Sequence, residues 1–201
     1  MIAIIDYDAG NLKSVEKAFH SIGLSTCVTR DYSEILKADH VVLPGVGSFG
    51  NAMDHLKKYE MDKVIYEVVN KRIPFLGICL GLQLLFESSE ESVGVPGLGI
   101  LQGKVKKIPE AEGLKIPHIG WNDLSYPNKG RLFSGINENS YVYFVHSYYL
   151  EAKDPSIVTA TCEYGVTVHA SVEKENVFAC QFHPEKSSSV GLQMLKNFAE
   201  L

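Results

Sequence analysis

The stretch "PFLGICLGLQLLFESS", Pro74 to Ser89, decides the fold. Together with the preceding residue, "IPFLGI" (73–78) is an unbroken apolar run of strand length, and "LGLQLLFESS" (80–89) carries the apolar spacing of a helix. Cys79 lies at the junction, with Gly77 and Gly81 two residues to either side. A buried strand that runs straight into a helix is the repeating unit of a parallel sheet covered on both faces. The G-x-C-x-G pattern is also the cysteine form of a nucleophile elbow, whose sharp turn needs small flanking residues. Two readings of Cys79 therefore stand. Buried thiols are common and mostly inert. A thiol lifted off the C-terminal edge of a sheet, at a helix N-terminus, is instead placed to react as the thiolate.

The alternation extends toward the N-terminus. "IAII" (2–5), "LSTCVT" (24–29) and "HVVLP" (40–44) read as strands. "NLKSVEKAFHSIG" (11–23) reads as an amphipathic helix with Asn11 as N-cap and Gly23 as its stop. "NAMDHLKKYEMDKVIYEVVNKR" (51–72) is helical in period, with a break near Tyr59 to Met61. Beyond Gly94 the texture changes to a glycine-rich connection and short β-type runs, "ILQGKVKKI", "YVYFVHSYYL", "SIVTATCEY", "VTVHASVEK" and "NVFACQF". The chain closes on a helix, "SSSVGLQMLKNFAEL", with a serine cap. The expected fold is α/β: one domain over residues 1–201, a mostly parallel central sheet flanked by helices, with additional β-strands in the C-terminal half.

Composition narrows the function. With 201 residues, 45% of them hydrophobic, the chain has enough apolar surface for one sizeable core. A net charge of −5 without a basic cluster argues against nucleic acid as partner. No apolar run has the length of a membrane span, and the N-terminus lacks the pattern of a signal peptide, so a cytoplasmic setting is expected. None of the four cysteines forms a C-x-x-C pair, and free thiols are the default there. Cys27, Cys162 and Cys180 are read as packing residues. The seven histidines lack zinc-ligand spacing, so no metal is expected.

A nucleophilic cysteine needs a base, and the base needs an orienting group. "VFACQFHPEKSS" offers both. His183 and Glu185 are two residues apart after a strand-like run, so their side chains point the same way, and Pro184 biases His183 toward extended backbone. Glu185 can then hold the imidazole tautomer that faces the thiol. His118 ("IPHIGWN") and His146 ("FVHSYY") are the rival bases, and His20, His40 and His55 fit less well. The third element is "LPGVGSFG". Glycines around Val46 free the backbone there to aim an amide at a ligand, and with the Leu80 N–H this would form an oxyanion hole. Phosphate-loop and dinucleotide patterns are absent.

"PGVG", "GICLGLQ" and "FHPE", in that order, resemble the class I (triad) glutamine amidotransferases, a flavodoxin-like α/β family. "DYDAGNLKSV", "PHIGWN", "YFVHSYY" and "FHPEKSS" are similar to the glutaminase subunits that serve a cyclase in histidine biosynthesis. The chain departs from that pattern at Asp8, often glycine, and at Leu82, often methionine. The resemblance implies hydrolysis of L-glutamine to L-glutamate and ammonia, with Cys79, His183 and Glu185 catalytic and Val46, Gly47 and Leu80 at the oxyanion. It implies Gly45, Gln83, His146, Ser147 and Tyr148 as glutamine contacts. Asn11, His118, Trp121, Asn122, Tyr143 and Lys186 would face the partner, a cyclase subunit built as a (β/α)8 barrel in a 1:1 heterodimer. No cofactor is implied. A flexible "PGVG" segment would leave the isolated chain weakly active. The alternatives are the glutaminase of another synthase, for anthranilate or pyridoxal phosphate, and a stand-alone cysteine amidohydrolase.

Overall fold

The computed structural model describes residues 1–201. Its centre is a seven-stranded sheet. In chain order β1 (Ile2–Ile5), α1 (Leu12–Ser21), β2 (Thr26–Thr29), α2 (Tyr32–Lys37), β3 (His40–Gly45), α3 (Phe49–Lys58), α4 (Met61–Asn70), β4 (Phe75–Cys79) and α5 (Leu80–Leu84) build the first half. Then come β5 (Ser88–Ser89), β6 (Gly103–Lys107), β7 (His118–Asp123), β8 (Tyr141–His146), β9 (Tyr148–Ala152), β10 (Val158–Glu163), β11 (Thr167–Lys174), β12 (Val177–Cys180) and α6 (Ser188–Ala199). The order across the main sheet is β10-β11-β12-β4-β3-β1-β2. The pairs from β12 to β2 are parallel, and β11 pairs antiparallel with both β12 and β10. The late strands thus extend the first sheet, as expected. Strands β5, β6 and β9 form a small second sheet, and β7 with β8 a ribbon.

Period-two alternation splits the apolar residues between two cores. Ala3 and Ile5 of β1, Val41 and Leu43 of β3 and Phe75 of β4 face one side, where α2, α3, α4 and α5 cover them. Ile2, Ile4, Val42, Leu76 and Ile78 face the other, under α1, α6 and the Phe144 side of β8. Burial of both faces accounts for the unbroken apolar runs in β1, β3 and β4, each buried along its whole length.

Several local expectations are corrected. The helix expected over 80–89 ends at Leu84. The returning chain takes the carbonyls at and just beyond its end: Leu98 N–H bonds to Leu84 O, Leu101 N–H to Leu85 O and Gly99 N–H to Phe86 O. "YVYFVHSYYL" is two strands rather than one, broken at Ser147, with β8 pairing β7 and β9 pairing β6. Helix α2 was not foreseen; Asp31 caps it by accepting from Glu34 N–H at 3.0 Å. Asn11 and Ser187 sit at helix N-caps without a capping side-chain bond. The Ser187 hydroxyl donates to His183 O at 2.6 Å and accepts from Tyr143 N–H at 3.0 Å, tying the segment after β12 to β8.

Candidate active site

The site forms where β3, β4 and β12 end side by side. Gly45 pairs with Cys79, and Cys180 pairs with Ile78 one step below it. Neighbouring parallel strands therefore bring together the elbow and the "FHPE" segment. Cys79 has φ 56° and ψ −109°, outside the ordinary regions for a side-chain-bearing residue. Such a backbone costs about 1–3 kcal/mol and persists only where the surroundings enforce it. They do so by close approach. A Cβ on Gly81 would lie 2.0 Å from Leu43 O, and one on Gly77 2.7 Å from Gly81 O. A Cβ on Gly45 would lie 2.8 Å from Gly81 N and 2.9 Å from the Tyr7 hydroxyl. Gly45, expected as a glutamine contact, is thus packed against the elbow and does not line the cavity.

A cavity of about 360 Å³ opens over Cys79. Val46, Gly47, Leu80, Gln83, His146, Ser147, Tyr148 and His183 line it, all expected from sequence. Glu91, Pro117 and Val145 line it as well and were not foreseen. Glu91 is the one carboxylate in the wall, and its Oε2 accepts from Phe49 N–H at 2.7 Å at the start of α3. It lies in a loop without motif, so no local signal marked it. Gly47 has φ +93° and, with Val46, is exposed at the rim.

His183 Nδ1 lies 2.8 Å from Glu185 Oε1, with both side chains almost wholly buried. Its Nε2 is buried without a hydrogen-bond partner. Burial works against the imidazolium, but Cys79 and Glu185 outweigh it and raise His183 to about 10. The rival histidines behave oppositely. Burial lowers His118 to about 4 and His146 to about 3, so neither takes up a proton at neutral pH. His118 Nδ1 and His146 Nε2 are 2.9 Å apart. His118 is stacked between Phe144 and Tyr164, so the residue expected on a partner face is interior.

Cys79 Sγ has two polar neighbours, Val145 O at 4.0 Å, which can only accept, and Gln181 Nε2 at 3.7 Å. Gln181 is fully buried and bonds through Oε1 to Gln83 Nε2 at 3.0 Å. Its place two residues before His183 was visible in "QFHPE", but nothing in the pattern assigned it a role. Outside the cavity, β7 and β8 present Ile119, Trp121 and Tyr141 to solvent, and Trp121 meets Tyr143 edge-on at 6.0 Å. Lys186 is exposed above the Tyr143 ring, while Asn11 and Asn122 are half-buried.

The chain is similar to known proteins over its whole length. The family described as glutamine amidotransferase class-I matches residues 3–201. The imidazole glycerol phosphate synthase subunit HisH of Thermosynechococcus vestitus is 52% identical over all of this chain and 96% of its own. The protein of the same name from Methanocaldococcus jannaschii is 49% identical over the full length of both. A solved structure described as a glutamine amidotransferase superposes with TM-score 0.77 at 17% identity, covering 100% of this chain and 98% of that one. PurLQS from Thermotoga maritima superposes with TM-score 0.76 at 19% identity, covering 99% and 97%; at these identities the likeness is one of fold.

Proposed function

The chain belongs to the class-I glutamine amidotransferases, and on that premise we propose that it serves as the glutaminase subunit of imidazole glycerol phosphate synthase in histidine biosynthesis. It acts on L-glutamine in a complex with the cyclase subunit. The observation that carries the site assignment is the meeting of a strained Cys79, a buried His183–Glu185 pair and Gln83 around one open cavity.

The chemistry follows from the positions. His183, held protonated by its neighbours, carries the proton on Nε2, and Glu185 on Nδ1 holds the ring and stabilises the imidazolium. The Cys79 thiolate attacks the side-chain amide carbon of glutamine, forming a C–S bond and an oxyanion. Leu80 N–H, at the start of α5, and an amide of the Val46–Gly47 segment would hold that oxyanion. As the tetrahedral adduct collapses, the C–N bond breaks and His183 returns its proton to nitrogen, so ammonia leaves. Water, deprotonated by His183, then attacks the thioester and releases glutamate. The Glu91 carboxylate suits the substrate's α-ammonium group, and Gln83, Ser147 and Tyr148 lie where the rest of the amino acid would sit.

The whole chain, 1–201, is read as one such domain, needing no cofactor. It has no pocket motif for a phosphorylated acceptor, so its ammonia is made for use elsewhere. The exposed Ile119, Trp121 and Tyr141 are the best docking face, because aromatic residues are enriched at the centres of interfaces. We assign to that face a cyclase of (β/α)8 form bound 1:1. A cytoplasmic location agrees with free thiols, and no helix is long and apolar enough to cross a membrane.

The test is glutamate production by wild type and Cys79→Ala, each with and without the cyclase subunit. Wild type should be active with its partner and Cys79→Ala inactive in both states. Activity retained by Cys79→Ala would overturn the assignment.

A further inference from the structure

The carbonyl oxygen of Tyr148 accepts two hydrogen bonds, from Gln83 Nε2 at 3.1 Å and from His146 Nδ1 at 2.9 Å. A backbone carbonyl can only accept, so both nitrogens must carry hydrogen. This settles the orientation of two chains of side chains. In one, a neutral His146 with its hydrogen on Nδ1 must accept at Nε2, so His118 Nδ1 donates across their 2.9 Å contact. In the other, Gln83 must present its amide nitrogen toward Gln181, so Gln181 turns its oxygen to Gln83 at 3.0 Å. The remaining end of the Gln181 amide is then its nitrogen, which faces Cys79 Sγ at 3.7 Å.

We propose that Gln181 is a positioning residue for the nucleophile, donating an N–H to the Cys79 sulfur with its orientation locked through Gln83 by the Tyr148 carbonyl. The proposal rests on the reading of Cys79 as nucleophile. Gln181 is fully buried and does not line the cavity, so contact with substrate does not explain it. A buried amide is costly unless both ends are satisfied, and here sulfur is one of its partners. A hydrogen bond to the anion is stronger than one to the neutral thiol, so the contact favours the reactive form and holds it in place. Since Gln83 also lines the cavity, the same chain links the substrate's seat to the sulfur.

The test combines two readings on wild type, Gln181→Met, Gln181→Glu and Cys79→Ala. The first is the pH dependence of iodoacetamide alkylation at Cys79, followed by peptide mass so that half-buried Cys27 is not counted. The second is kcat and KM for glutamine in the complex with the cyclase subunit. The titratable groups around the sulfur, His183, Tyr7 and Cys180, are unchanged in the Gln181 variants. Gln181→Met should move the alkylation midpoint up by about one pH unit and lower kcat about tenfold at near-constant KM, the size of one hydrogen bond to a charged group. Gln181→Glu keeps the acceptor for Gln83 but turns a carboxylate to the sulfur, so its midpoint should rise further. If Gln181→Met melts too low for assay, Gln181→Glu alone decides. Wild-type midpoints, or a fall in kcat with no shift of midpoint, would reduce Gln181 to packing and overturn the proposal. Such a result beside an inactive Cys79→Ala leaves the proposed function standing; an active Cys79→Ala overturns that function itself.

Discussion

His183 Nδ1 and Glu185 Oε1 lie 2.8 Å apart, both side chains almost wholly buried, on either side of a single proline. The carboxylate is one of the two groups that keep the imidazole protonated against the cost of burial.

Glu185→Gln keeps the size and removes the charge. His183 should fall from about 10 toward its ordinary range, and an amide nitrogen can force the wrong tautomer. We expect kcat to drop about 10²–10⁴-fold with KM for glutamine little changed, the pattern of a lost base-orienting group. Steady-state glutaminase kinetics in the assembled complex check it; a kcat within twofold of wild type contradicts it.

Glu91 should show the opposite pattern. Its place in the cavity wall matches a substrate ammonium, not the reacting amide. Glu91→Gln still accepts from Phe49 N–H, so α3 keeps its cap. KM should rise about tenfold while kcat stays within a few fold, the loss of one charge-assisted contact made equally in ground and transition state.

The buried His118–His146 pair makes folding pH-dependent. Both have pKa values lowered in the folded state, to about 4 and about 3, while in the unfolded chain they return to about 6.5. Between those limits the unfolded chain binds more protons, so stability is full above about pH 6.5 and declines as pH falls, by about 1.4 kcal/mol per unit for each histidine. Urea unfolding from pH 7.5 to 4.5 should show this decline. Imidazole NMR should show both rings neutral at pH 6, with hydrogen on Nδ1 in each.

Glycine substitution separates crowding from backbone strain. Gly81→Ala would press a methyl to 2.0 Å from Leu43 O, so β3 or the elbow must move. It should cost several kcal/mol and most of the activity. Gly23→Ala meets nothing within 4 Å and bears only the strain of φ +80°, about 1 kcal/mol, with activity intact. Thermal melts and turnover of the two proteins make the comparison.

Much of this was legible in residue patterns because the relevant forces are local. Apolar runs buried on both sheet faces marked β1, β3 and β4, and Gly77 and Gly81 marked the elbow through the closeness of its packing. The rest depended on contacts distant in sequence. Helix α5 ends early because the chain near Leu98 claims its carbonyls. The "YVYFVHSYYL" run divides at Ser147 because its halves find different partner strands. His118 was expected to face the partner, but β7 pairs with β8 and stacks it between Phe144 and Tyr164. Gln181 and Glu91 have meaning only through what the fold sets opposite them.

Strand β12 sits between β4 and β11, and β10 is attached to the sheet only beyond them. The nucleophile is therefore translated long before the strand that brings its base. Until residues 177–180 pair with residues 75–78, Cys79 is a thiol at a sheet edge with neither Gln181 nor His183 beside it. A chain in which β12 has not paired with β4 cannot hydrolyse glutamine by this route. Because that strand is central, its pairing with β4 is the event that assembles nucleophile, base and Gln181 into one site.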